Sequence, residues 1–375
     1  MKIKSIEPIA VSLPMKKPVI MAGETVARAD NVLVRIEAEG GFVGWGEAAS
    51  APTMTGETTA SMLAAVAHMA PALIGLAADD HTAASAAMDA AMYGNSGAKA
   101  AIDIALHDLA GRAAGRPLHA AFGAQRRSRL PILAVIGSTD QAADLREAEA
   151  RWDGGFRAFK IKVGLAAPEA DAARTQAICR ALKGSGEDCL VCADANQGFG
   201  VEDALRYVTA LGDCGLDFFE QPLNAHDLDG MARVAAASSV PIGADEGIHG
   251  LHDIERHQAR KVAGVSLKAI KLGGLRAMAE ACRLCDRLGM KVNISCKTGE
   301  SSIASAAALH VAASVPGLAW GLTLTSHGLA EDVAVAPLHI ERGHVVVPDR
   351  PGLGIDVDEQ RLRRWQQAFS GRKVA

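Results

Sequence analysis

Eight short, apolar, β-rich segments recur along residues 131–323 at intervals of roughly 25–30 residues, and no other feature restricts the fold as much. They are "PILAVIG" (131–137), "AFKIKVG" (158–164), "CLVCADAN" (189–196), "LDFFEQP" (216–222), "VPIGADE" (240–246), "GVSLKAIKLGG" (264–274), "KVNISC" (291–296) and "LAWGLT" (318–323). Helix-patterned stretches fill most of the gaps. Strand–helix alternation of that period builds a parallel sheet covered by helices, and eight units close it into a ring. The expected class is α/β, a (β/α)8-type (modified TIM) barrel.

The chain ahead of this region has another rhythm. "KIKSIEPIAVSL", "NVLVRIEAE" and "FVGWGEA" alternate polar and apolar residues, with a turn at "EGG" (39–41), which predicts an antiparallel β unit. Residues 57–122 carry helical stripes, the last stopped by Gly115 and Pro117. "GAQRRSRL" (123–130) reads as a linker. The expected organisation is an α+β capping domain over 1–125, the barrel over 126–335, and a segment over 336–375 that returns to the cap through "HVVVPDRPGLGIDV" (344–357).

Charge and composition exclude several functions. A net charge of −4 leaves no basic footprint for nucleic acid or a membrane surface. The N-terminus lacks the apolar core of a signal peptide, and no uncharged apolar run reaches membrane-spanning length, so a cytoplasmic location is expected. The seven cysteines include two C-x-x-C pairs. Cys189 and Cys192 enter a strand, where an odd separation points them to opposite faces, and Cys282 and Cys285 share a helix face. Buried thiols, not a metal or redox centre, are expected.

"AFKIKVG" poses a problem that the strand ends resolve. Lys160 and Lys162 alternate along one face of a buried strand, where unpaired ammonium groups are costly. The third, fourth and fifth barrel segments end at Asp194, Glu220 and Asp245. C-terminal strand ends converge at one mouth of a barrel, so three carboxylates meet the lysines there. Three oxygen ligands without Cys or His suit a hard cation, Mg²⁺ first and Mn²⁺ second. Segment six adds Lys268 from the opposite side, and cations beside a lysine lower its pKa toward the range of a general base. Lys271, three residues further along the same segment, falls on the other face of a strand and reads as structural. One chemistry uses such a set: a substrate carboxylate binds the metal, a lysine removes the α-proton, and the charge of the enolate is held by the cation.

"GWGEA" (44–48), "KIK" (160–162), "DAN" (194–196), "EQP" (220–222), "ADE" (244–246), "LKAIKLGG" (267–274), "GES" (299–301) and "PGLG" (351–354) together resemble the enolase superfamily, in its muconate-lactonizing-enzyme-like subgroup. The resemblance implies Asp194, Glu220 and Asp245 as metal ligands, and Lys162 and Lys268 as acid/bases on opposite substrate faces. It implies that Lys160 contacts the substrate carboxylate or tunes Lys162, and that Glu300 lies near that carboxylate. Asn196 would orient the metal site, loops near 17–28 and 50–58 would close over the substrate, and the protein would form a homo-oligomer. "NISCKTGE" lacks the His of the mandelate-racemase type, and "GLTLTS" lacks the paired acids of the dipeptide epimerases. Lys297 stands as either a ligand for a second substrate carboxylate or a solvated loop residue. Met21, Thr53, Met54, Thr323 and Thr325 are further specificity candidates. The expected activity is that of an isomerase of a small carboxylic acid, either a muconate-type cycloisomerase or a racemase/epimerase. A dehydratase of a β-hydroxy acid is the alternative, and a non-catalytic binding protein the remote one.

Overall fold

The structure, a computed structural model, describes residues 1–21, 24–184 and 186–370. Three antiparallel strands open the chain: β1 (Ile3–Met21), β2 (Glu24–Ala38) and β3 (Val43–Ala49), in the order β1-β2-β3. Helices α1 (Thr59–Leu73) and α3 (Ser96–Ala114) pack on them, and α2 (His81–Ala91) packs on these two helices. Two glycines of "GWGEA" explain how close this packing is. A Cβ on Gly44 would lie 2.2 Å from the Ala105 carbonyl oxygen, and one on Gly46 would lie 1.9 Å from that of Ala101. Only bare backbone lets α3 lie flat on β3.

The first two strands run further than their alternation suggested. Pairing breaks register after Pro14↔Arg28 and resumes from Val19↔Val26 to Met21↔Glu24. The described part of 17–28 is therefore a paired ribbon, correcting the expected loop, whereas 50–58 is a turn-rich loop pinned by the Ala51↔Glu57 bridge. Residues 22 and 23, and the side chain of Met21, lie outside the described residues.

A short β4 (Arg129–Pro131) leads into the barrel. Its units are β5 (Ala134–Ile136) with α4 (Gln141–Asp153), β6 (Ala158–Lys162) with α5 (Pro168–Lys183), β7 (Leu190–Asp194) with α6 (Val201–Leu211), and β8 (Phe218–Glu220) with α7 (Leu228–Ala237). Then come β9 (Ile242–Ala244) with α8 (Leu251–Gln258), and β10 (Gly264–Leu267) with a helical turn α9 (Ala269–Leu272) and α10 (Leu275–Leu288). The last are β11 (Lys291–Ser295) with α11 (Ser302–Ser314), and β12 (Leu322–Thr323). The eight strands β5–β12 are parallel neighbours in sequence order, and a bridge between Ile132 and Leu322 brings the two ends together. The predicted barrel is present, with all eight strands inside their expected segments.

Beyond the barrel, β13 (Ile340–Glu341) and β14 (His344–Val346) form a small antiparallel sheet with β4, and α12 (Glu359–Ser370) packs on β1. Between them the chain meets α3, where Leu353 N donates to Asp108 Oδ1 at 2.8 Å and the Arg112 guanidinium donates to the Ile355 carbonyl at 2.6 Å. One end of the barrel is plugged by Leu133, Ala158, Cys192, Phe218 and Trp320, the last two rings stacked at 4.1 Å. Six of the seven free cysteines are buried, with Cys192 in the plug and Cys189 in the main core, on opposite faces as expected. Among the described residues, no helix is long and apolar enough to cross a membrane.

Candidate active site

Register builds the site. Lys162 on β6 lies beside Asp194 on β7, which lies beside Glu220 on β8, so three charged side chains share one layer at the C-terminal ends of adjacent strands. Asp245 follows directly after β9. All three acids are buried, at 2%, 0% and 1% exposure, where an unpaired carboxylate would be very costly. Each is met by a lysine. Lys160 Nζ donates to both oxygens of Glu220, at 2.9 and 2.8 Å, and Lys162 Nζ donates to Asp194 Oδ2 at 2.7 Å. Asp245 accepts from Lys268 through Oδ2 and from Lys271 through Oδ1, the latter at 2.6 Å.

Lys160 resolves its own burial by reach. Its Cα lies in the layer of Cys192 and Phe218, near the apolar plug, but its ammonium extends to the carboxylates one layer up. Burial pulls its pKa down, and the charges of Glu220 and Asp194 overcome that and raise it. Lys268 is also raised, burial being outweighed by Asp245. Within the protein's own charges, then, Lys268 is held as an ammonium, because acids are its nearest neighbours. Burial lowers Lys271. The Asp245 carboxyl is depressed because Lys268 and Lys271 together outweigh burial, and Asp194 is depressed by Lys162 and Lys160 in the same way.

Asn196 joins two parts of this network from the left-handed region, at φ 42°. Its Oδ1 accepts from Lys162 Nζ at 2.5 Å, its Nδ2 donates to Glu246 Oε1 at 3.0 Å, and its backbone N donates to Asp194 Oδ1. Gln221 plays a similar part for Asp245: its Oε1 accepts from the Asp245 backbone N at 2.8 Å. Glu300 and Lys297 are both buried on the loop after β11, where the Lys297 backbone N donates to Glu300 Oε2 at 2.9 Å. The solvated reading of Lys297 is thereby corrected: it is 4% exposed and lines a cavity of about 150 Å³ with Thr25, Arg28, Asp30, Asn31 and Ser50 of the cap. Thr325 Oγ1 donates to the Lys297 carbonyl, Thr323 is buried, Thr53 is exposed, and Met54 packs against the core of the cap.

Sequence reasoning missed two members. Lys271 was placed on the far face because its segment read as one strand, but β10 ends at Leu267 and α9 turns Lys271 back onto Asp245. Glu246 carries no periodic signal. Glu246 is buried with an Oε2 that has no hydrogen-bond partner, and burial together with Asp245 pushes its carboxyl up to about 7.

The donor set fits a hard divalent cation. It is all oxygen, it comes from three successive strands, and a fourth carboxylate with an unpartnered oxygen stands beside it. Another cluster does not fit one. Among the described residues, His81, Asp103 and His107 bring ligand atoms within 4.8 Å of one another. However, the two imidazoles stack at 3.8 Å and 6°, so their in-plane lone pairs run parallel instead of converging. His107 Nδ1 is engaged by the Asp103 carbonyl, and the Asp103 carboxylate accepts from Leu275 N. This trio packs the seam between cap and barrel.

Comparison with known proteins covers nearly the whole chain. Residues 5–123 match the family model described as mandelate racemase / muconate lactonizing enzyme, N-terminal domain, and residues 143–361 match enolase C-terminal domain-like. A chloromuconate cycloisomerase of Cupriavidus pinatubonensis is 31% identical over 96% of this chain and 98% of its own. An N-succinyl-L-Arg/Lys racemase of Bacillus cereus is 30% identical over 97% of both chains. The crystal structure of a muconate lactonizing enzyme from Pseudomonas fluorescens, complexed with muconolactone, superposes with a TM-score of 0.92 at 32% identity, covering 97% of this chain and 99% of that one. Relatives with two different reactions thus stand at the same distance.

Proposed function

The chain belongs to the mandelate racemase / muconate lactonizing enzyme family of the enolase superfamily and is an isomerase of that superfamily, and on that premise we propose that it moves a proton at the carbon α to a carboxylate, as a racemase or epimerase of a small carboxylic acid. The observation that carries this reading is the pairing of two lysines with two different acids of one site. Lys162 is bonded to Asp194 and Lys268 to Asp245, from strands on opposite sides of the barrel. A two-base reaction needs one proton carrier on each face of the reacting carbon. Lys162 takes the proton from one face, Lys268 returns it to the other, and the roles exchange for the opposite enantiomer.

Asp194, Glu220 and Asp245 would hold the divalent cation, Mg²⁺ before Mn²⁺, and when bound it supplies positive charge next to the substrate carboxylate, which acidifies the neighbouring C–H. Asn196 holds Lys162 and Asp194 in place, Lys160 holds Glu220, and Glu300 and Lys297 face the substrate's polar end. Burial of the whole set excludes water that would otherwise compete for the lysines. A homo-oligomer in the cytoplasm is the expected form. A muconate-type cycloisomerase is the second reading, favoured by the cycloisomerases among its relatives; it would use only one lysine as acid/base.

The test is exchange in D₂O with Mg²⁺ across amino-acid derivatives, hydroxy acids and muconates, read by mass spectrometry and optical rotation. Deuterium gained with inversion establishes the two-base reaction. Lactone formation moves the assignment to cycloisomerase, and loss of water moves it to dehydratase. Absence of both exchange and Mg²⁺ binding would sink the enzyme reading.

A further inference from the structure

Arg174 lies on α5, outside the ring of strands, and is only 3% exposed. Two fully buried acids hold it. Its Nη1 donates to Asp144 Oδ2 on α4 at 2.5 Å, and its Nη2 donates to Asp171 Oδ1, one helical turn earlier on α5, at 2.7 Å. A buried triad of charges contributes little net stability, and apolar side chains would join the two helices as well. What else the triad touches gives it another use.

Each member also grips the exit of a barrel strand. Asp144 Oδ1 accepts from Ser138 N at 2.8 Å and from Ser138 Oγ at 2.6 Å, just past β5. Arg174 Nη2 donates to the Lys162 carbonyl at 2.6 Å, where β6 ends. Asp171 Oδ2 accepts from Gly164 N at 2.8 Å. Gly164 turns there at φ 87°, and a Cβ on it would lie 3.1 Å from the Ala195 carbonyl oxygen, so the turn also rests on the exit of β7. The backbone from Lys162 to Gly164 is thus fixed from behind. In front, the stem of Lys162 crosses Gly137, where a Cβ would lie 2.8 Å from Lys162 Cβ and 3.0 Å from its Cγ. A lysine stem is flexible, so a fixed root and a confined path decide where its ammonium arrives, here between Asp194 and Asn196. Lys268 is placed by other means: its carbonyl accepts from Lys271 N and Leu272 N of the α9 turn.

We propose that Arg174, held by Asp144 and Asp171, is a positioning residue for Lys162: through the Lys162 carbonyl and the Gly164 turn it sets the reach of one proton carrier and leaves the other untouched. That Lys162 carries a proton rests on the function proposed above; the backbone clamp does not. Misplacing a reacting group by about 1 Å can cost 10²-fold in rate, and here that loss falls on one face of the reacting carbon.

The experiment compares the unmodified protein with Arg174→Lys, which keeps a positive charge between the acids but loses the planar fork. The substrate is the pair of enantiomers that interconverts fastest in the D₂O panel, and Lys162→Ala identifies the enantiomer that Lys162 faces. For that enantiomer, Arg174→Lys should lower the kcat of α-proton exchange by about 10- to 100-fold with KM little changed; for its mirror image the rate should stay within about twofold. A merely structural role would lower both alike, so equal loss, or none, overturns the proposal. If Arg174→Lys does not fold, Asp144→Asn takes its place, since Arg174 then keeps Asp171 and the Lys162 carbonyl. The same one-sided loss is expected, smaller in size, and its absence overturns the proposal. The clamp is also read without substrate, by amide hydrogen exchange of the full chain followed by NMR. In Arg174→Lys the amides of Val163 and Gly164 should exchange about tenfold faster while those of β10 keep their protection. Unchanged protection at both overturns the proposal. If no compound interconverts but these two amides are released, the proposed function fails and the clamp stands.

Discussion

The plugged end of the barrel and its mouth are built by the same strands, two residues apart, and share almost no chemistry. On β7 the inward position changes from Cys192 to Asp194, and on β8 from Phe218 to Glu220. At the plug the residues fit by shape: Trp320 stacks on Phe218, and a Cβ on Gly243 or Gly264 would come within 2.8 or 2.5 Å of its ring. At the mouth the residues fit by charge, Asp194, Glu220 and Asp245 each answered by an ammonium. Apolar packing tolerates only volume-conserving change and contributes stability. Paired buried charge contributes little net stability, since desolvation offsets the attraction. A fold that needed stability alone would not place seven paired ionisable groups where carbon could go. The plug supports the barrel, and the mouth is kept for chemistry.

The sharpest way to break this contrast is to remove one proton carrier. Lys162→Ala and Lys268→Ala should each lower interconversion of the enantiomers by about 10³-fold or more while the circular dichroism spectrum stays that of the folded protein. Under the two-base reading, each variant should still exchange the enantiomer that its remaining lysine faces. Equal loss for both enantiomers in one variant, with no loss in the other, would convert the assignment to a single-base cycloisomerase.

Asp245→Asn tests whether the charges of the mouth are truly coupled. It strands Lys268 and Lys271 without their carboxylate, a change expected to cost about 3–5 kcal/mol in urea unfolding, and it should abolish tight Mg²⁺ binding by calorimetry. Unaltered stability would mean that these lysines find solvent and that the network is looser than described. At the other end, Trp320→Ala should cost a similar 3–5 kcal/mol through the cavity it leaves, with exchange per folded molecule unchanged within about twofold. Lost activity without lost stability would erase the distinction between the two ends.

Much of this contrast was legible in the sequence, for a physical reason. Strands covered on both faces read as continuous apolar runs, so polar residues at their ends stand out, as Asp194, Glu220 and Asp245 do. What failed was wherever tertiary contact overrode local pattern. The resemblance implied a loop near 17–28, yet β1 resumes pairing at Val19 after its register shift. "LKAIKLGG" has the composition of a strand end, but the chain coils after Leu267 and is stopped by Gly273 at φ 83°. Glu47 was inside a recognised motif and still gave no hint of its hydrogen bond from Ser301, which is 254 positions away.

The smallest expected effect concerns pH and separates Glu300 from the rest of the mouth. A carboxyl raised to about 8 in the fold, chiefly by burial, from about 4.3 unfolded, binds more protons when folded. Its contribution to stability is fully present below about pH 4.3 and is lost as pH rises through 8. Buried His310, lowered to about 4 chiefly by burial, works in the opposite direction, destabilising the fold as pH drops below about 6.5. Wild-type stability alone therefore mixes these two with other shifted groups, Glu246 among them. The difference between wild type and Glu300→Gln cancels His310, which both proteins share. That difference should shift against the wild type by about 2–3 kcal/mol between pH 5 and pH 7, measured by urea unfolding. A difference flat in pH would mean that Glu300 ionises in the fold as it does in water. The mouth would then hold one more negative charge, and an anionic substrate would have to be bound by the lysines and the cation alone.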